Sequence, residues 1–208
     1  MRRTGIVAAA AIAGALAVNA LGGFAVADHQ PANKAAVAAS NLEVMKAQAE
    51  EGSGSEAVTL FATQIRTSDK ADLVMEVTAE CALVTDIVNL GNSDSESVAQ
   101  VKIWAEVDGQ PVSIGRGVDA DTVVFCNRAF RKVITDLDDE DAQFETFLRT
   151  RAAHAFNWIA LNVPSGIHDI EIKSRLEVTV TGVGNAEALI GKRTLVVDPI
   201  RLPHDATL

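Results

Sequence analysis

Residues 155–181, AFNWIALNVPSGIHDIEIKSRLEVTVT, limit what this 208-residue chain can fold into more than any other stretch. Ile170, Ile172, Leu176, Val178 and Val180 fall on one parity, and Asp169, Glu171, Lys173, Arg175, Glu177 and Thr179 on the other. A helix would scatter those charges around its circumference. A strand with one face on a core and the other in water produces a period of two directly. Only Ser174 breaks the apolar row. In the preceding run Phe156 and Trp158 share one parity and Ile159, Leu161 and Val163 the other, which predicts a central strand covered on both faces. Pro164-Ser165-Gly166 separates the two runs as a turn, so the pattern predicts a hairpin with His168 opposite Asn162.

Similar alternation recurs along the chain. Leu73, Met75, Val77, Ala79, Cys81 and Leu83 form one apolar row, and Val101, Ile103, Ala105 and Val107 another. Asp108-Gly109 follows as a hairpin turn, with Pro111 marking a short or edge return strand. Residues 122–130 place Val124, Cys126 and Phe130 on a core-facing parity, and residues 186–200 supply a last strand. Between them, residues 135–153 read either as an acidic loop (136–141) leading into a strand, which the neighbouring strands favour, or as a helix with its acids early and Arg149, Arg151 and His154 late. About eight or nine strands with turn signals between them, and no repeated strand–helix–strand pattern, predict an all-β, antiparallel β-sandwich, immunoglobulin-like or jelly-roll. The unit Ser165-Gly166-Ile167-His168-Asp169-Ile170-Glu171-Ile172 resembles the turn-and-strand motif S-G-x-H-x-I-x-I of many secreted sandwiches of both kinds. That resemblance implies the fold and carries over no activity.

The chain divides into three parts. Arg2 and Arg3 precede an apolar run that ends in Ala25-Val26-Ala27, the pattern of a secretory signal peptide over residues 1–27. Residues 28–56 are alanine-rich and read as a helical or disordered arm, with Leu42, Met45 and Ala49 as a narrow stripe and Gly52-Ser53-Gly54-Ser55 as a link. Residues 57–208 form the sandwich domain. Loss of the two leader arginines takes the formal charge from −10 to −12, which argues against nucleic acid as a partner. No second apolar span follows the leader, so the mature chain is expected to be secreted and extracellular, without a membrane span.

Cys81 and Cys126 are the only cysteines and stand 45 residues apart in different strands of an exported chain, which predicts a disulfide between them.

Three groups of residues are candidates for function. Asp136, Asp138, Asp139, Glu140 and Asp141 concentrate hard oxygen ligands suited to Ca²⁺, although Asp141 stands where an EF-hand has glycine and Phe147 where it has its last glutamate. No other cofactor is expected. Trp104 shares a polar parity with Lys102 and is either an aromatic binding surface or, the favoured reading, a ring covered by a loop or by the 28–56 arm. With aromatics at 4% of residues and no tyrosine, a multi-ring sugar platform is not expected. Ser165, Gly166 and His168 read as turn and strand-start chemistry, since no G-x-S-x-G elbow accompanies Ser165. The expected function is a non-enzymatic structural or binding module at or outside the cell surface, its partner a protein or other surface component. Its alternatives are an extracellular hydrolase with a loop-built site, a calcium-dependent binding module, and self-association through the arm.

Overall fold

A computed structural model describes residues 32–39, 45–90, 94–116, 120–133 and 143–203. The elements are β1 (Ala36–Ala39), β2 (Met45–Ala49), β3 (Gly52–Thr67), β4 (Ala71–Leu90), β5 (Asp94–Val107), β6 (Gln110–Pro111), β7 (Thr122–Val133), β8 (Gln143–Val163), β9 (Gly166–Thr181) and β10 (Val183–Ile200). Among the described residues no helix is long and apolar enough to cross a membrane.

All pairings are antiparallel. The first sheet runs β1–β10–β4–β8, with β2 beside β1 on the same edge of β10; the second runs β3–β9–β5–β6, with β7 also on β5. Counting β1 with β2 and β6 with β7, the strands are 1-8-3-6 in one sheet and 2-7-4-5 in the other. This is a jelly roll: a two-stranded ribbon rolled up about its central turn. Asp108 (φ 52°) and Gly109 (φ 75°) make that turn, both with the positive φ that a two-residue hairpin loop of the primed type requires. Outward from it, β4 pairs with β8, β3 with β9, and β1 and β2 with β10.

The roll corrects the expected hairpin of residues 155–181. Both halves are strands, but β8 belongs to the first sheet and β9 to the second. Trp158 lies opposite Met75 of β4, and Ile172 opposite Phe61 of β3 and Ala105 of β5. Among the described residues β8 pairs only with β4, so it is an edge strand and not the central one its two apolar parities predict. Alternation reports which side of a strand is buried, not which strand lies beside it.

The crossing is held by named groups. Asn162 has φ 60° and Gly166 φ 150°, turning the chain out of β8 and into β9. The Pro164 carbonyl accepts from Thr67 Oγ1 (2.7 Å) and from His168 Nε2 (2.8 Å), while Gly166 N–H donates to Thr67 Oγ1 (3.2 Å). His168 is buried and its Nδ1 lies 2.7 Å from Asp108 Oδ2; Asp108 Oδ1 also accepts from Asp169 N–H (2.9 Å). The central turn and the sheet crossing are therefore tied together. Burial pushes the Asp108 carboxyl upward, but the hydrogen bonds from His168 and the Asp169 amide outweigh it and hold the group below its ordinary value.

Between the sheets lies one core. Leu73, Met75, Val77 and Ala79 of β4 are fully buried, as are Val101, Ile103 and Ala105 of β5, Ile170, Ile172 and Leu176 of β9, and Leu195 and Val197 of β10. Each row has the predicted parity. Ser174 is buried in the β9 row because its hydroxyl donates to the Lys102 carbonyl (2.9 Å), satisfying it without water. Arg193, also buried, sits where β10 and β3 each carry a bulge; its guanidinium donates to the carbonyls of Leu60 (3.3 Å) and Gly191 (3.1 Å).

Where it is described, the N-terminal arm differs from the expected helical or disordered segment. Residues 36–39 and 45–49 run as strands on the edge of β10, with Ala47 and Ala49 buried, and the expected link 52–55 is the start of β3. An open sheet edge overrides alanine's helix preference when pairing satisfies the backbone and covers the methyl groups. The region 122–130 departs in parity: a bulge opposite Val101 and Lys102 turns Phe125 inward and leaves Val124 half exposed. Cys126 remains packed against the core and is bonded to Cys81, joining the two sheets with a Cα–Cα distance of 6.9 Å.

Two outcomes are expected. Replacing Cys81 and Cys126 by alanine lowers the unfolding free energy by about 4 kcal/mol, the denatured-chain entropy of a 45-residue loop; denaturant titration measures it. Because Asp108 is held low in the folded state, its contribution is present above about pH 4 and fades as pH falls further. Thermal melts of Asp108→Asn should therefore fall below those of the wild type at neutral pH, with the gap closing on acidification.

Candidate functional site

The outer face of the second sheet carries an array of polar side chains with an aromatic among them. Strand β5 presents Gln100, Lys102, Trp104 and Glu106, and β9 sets Glu177, Arg175, Lys173 and Glu171 directly opposite. Two of those four rungs, Lys102 with Arg175 and Glu106 with Glu171, put like charges face to face, which is unfavourable in isolation. Diagonal pairing relieves both. Lys102 Nζ lies 2.9 Å from Glu177 Oε2, and Lys173 Nζ lies 2.6 Å from Glu106 Oε2 and 2.9 Å from Glu171 Oε2. Burial pushes the Glu106 carboxyl up, but hydrogen bonds from Lys173 and from Trp104 Nε1 (2.9 Å) bring it below its ordinary value. Lys173 is raised by hydrogen bonds to Glu106 and then Glu171.

Arg175 has no carboxylate within 4 Å among the described residues; its guanidinium carbon stands 5.9 Å from the centre of the Trp104 ring. Beside this stack, Lys102, Asp121, Thr122 and Val124 complete a shallow concavity of about 250 Å³. Trp104 is half-buried, and among the described residues Arg175 of the neighbouring strand lies over its ring. Chemically, the concavity offers an indole wall, a stacked guanidinium and one carboxylate, groups suited to contact with a planar or anionic group on a partner.

The expected Lys102 and Trp104 are brought together here. Arg175 comes from β9, and Asp121, Thr122 and Val124 from β7 and the turn before it; both strands stand next to β5 only through the roll, so the pairing register is the signal that identifies them.

The remaining candidates lie elsewhere. Gly166 and His168 belong to the sheet crossing, Ser165 is exposed on it, and His154 is exposed on β8 with its ring 5.9 Å from Phe125. The acidic run Asp136, Asp138, Asp139, Glu140 and Asp141 lies outside the described residues. Among those described, no three His, Cys, Asp or Glu side chains gather as a metal site would need.

No protein-family model matches the chain, and no curated protein matches it. Among solved structures, the chain has a slight similarity to one from the structure of infectious bursal disease virus Gt strain: 12% identity and a TM-score of 0.18 over 84% of this chain and 42% of that one. Another is from the T13 viral particle of the same virus, with 12% identity, a TM-score of 0.17, and 80% and 44% of the two chains covered. The chain thus spans less than half the length of either, and at such TM-scores the similarity carries no argument.

One outcome tests the stack. In a Trp158→Phe background, where Trp104 is the remaining tryptophan, Arg175→Ala should raise acrylamide quenching of its fluorescence; unchanged quenching would show that the guanidinium does not cover the ring.

Proposed function

We propose that the protein is an exported, non-enzymatic β-sandwich that serves as a structural or binding module at or outside the cell surface. The observation that carries this reading is the Cys81–Cys126 bond, which crosses between the two sheets. Disulfides of this kind persist in oxidising compartments outside the cytoplasm. The leader-like residues 1–27 supply the route there, and the formal charge of −12 expected after their removal, from −10 for the whole chain, favours solubility.

A structural role is supported by where the buried polar groups spend their hydrogen bonds. His168, Thr67 and Ser174 each bond to a backbone or carboxylate group that holds strands together. Recognition belongs to the outer face of the second sheet, at Trp104, Lys102 and Arg175, where a partially open aromatic and a cation without a carboxylate partner among the described residues line one concavity.

The test is the fate of the full-length chain in its own cell. The mature protein should be recovered outside the cytoplasm beginning at Asp28, with no free thiol in the unfolded state. A cytoplasmic chain that retains residues 1–27 and titrates two thiols would overturn the proposal.

A further inference from the structure

Strand β8 is a long edge, in unbroken register with β4 from Gln143 to Ala160 and irregular only beyond it. Natural sheet edges are blunted by proline, lysine, bulges or covering segments, because an open row of backbone N–H and C=O groups recruits other strands. Gln143–Val163 contains no proline, glycine or lysine, and it pairs on one side only among the described residues. On the outer face of this edge, Glu145, Phe147 and Arg149 are exposed in succession, with Phe147 at 59%. Neither charge makes an ion pair within 4 Å among the described residues.

We propose that a second copy of this chain pairs along β8, antiparallel and centred on Phe147. In that register the sequence Glu145-Thr146-Phe147-Leu148-Arg149 is complementary to itself. Glu145 of each copy lies opposite Arg149 of the other, the two Phe147 rings face each other across the two-fold axis, and the half-buried Thr146 and Leu148 face one another on the inner side. Opposite charges four residues apart on one strand are too distant to bond to each other, about 13 Å at the rise of a strand; only a reversed second strand brings them together. Shifting the centre to Arg149 would set the two Arg149 side chains face to face, so charge selects the register. Negative charge is also concentrated here: Asp86, opposite Phe147 on β4, is raised above its ordinary value by burial and then by Glu145. A partner's Arg149 would offset it. The paired copies extend the first sheet continuously from β1 of one to β1 of the other.

Light scattering of the purified mature chain over a range of concentrations tests this. The wild type should show the mass of two chains at high concentration. Glu145→Arg, and separately Arg149→Glu, set like charges opposite each other twice per pair and should give the mass of one chain with an unchanged circular dichroism spectrum. The double variant carrying both substitutions should regain the mass of two. A wild type that stays at one chain throughout, single variants that keep the double mass, or a double variant that does not regain it would each overturn the proposal. So would a dimer lost only on deleting residues 28–56.

Discussion

The Pro164 carbonyl accepts one hydrogen bond from Thr67, the last residue of β3, and another from His168, three residues into β9, at the point where the chain leaves the first sheet for the second. His168 in turn reaches Asp108, the first residue of the central turn. This small network decides which strands can be neighbours. If the chain doubled back at Pro164 as a hairpin, β8 would occupy one of β9's two edges, and β9 could no longer join β3 to β5. Because the chain crosses instead, β8 is free to lie on β4 and β9 can seat between β3 and β5. The shared core follows. Trp158 and Ile172, close in sequence, enter it from opposite walls.

Much of the fold was legible because burial writes itself into sequence parity. The inner rows of β4, β5 and β9 are those that alternation names, and the Asp108-Gly109 turn stands where its residue types place it. Parity is silent about pairing partners, and the missed features follow from that silence. Nothing local in Pro164-Ser165-Gly166 distinguishes a turn between paired strands from a crossing between sheets; the donors that hold it, Thr67 and His168, include one nearly a hundred residues distant. The alanine-rich arm failed for the same reason, since what makes Ala47 and Ala49 a strand is the edge of β10, which their own neighbourhood does not contain. At Val124 the fault was a single inserted residue, Phe125, that reversed the alternation beyond it.

The outer faces show how the same architecture shapes function. Around Trp104, Lys102 and Lys173 each have a diagonal carboxylate partner and Arg175 is turned onto the indole, so the second sheet presents a wall that is ordered yet partly open. The first sheet ends differently, in an edge whose exposed phenylalanine is flanked by charges of opposite sign. The proposed recognition face and the proposed pairing edge thus lie on different sheets. The disulfide between β4 and β7 ties together the two sheets that carry these surfaces.

The crossing at Pro164 carries the account, and cross-strand nuclear Overhauser effects read it most directly. The jelly roll predicts contacts of Trp158 with Met75, and of Ile172 with Phe61 and Ala105. A ladder of contacts joining β8 to β9, with Asn162 opposite His168, would contradict it.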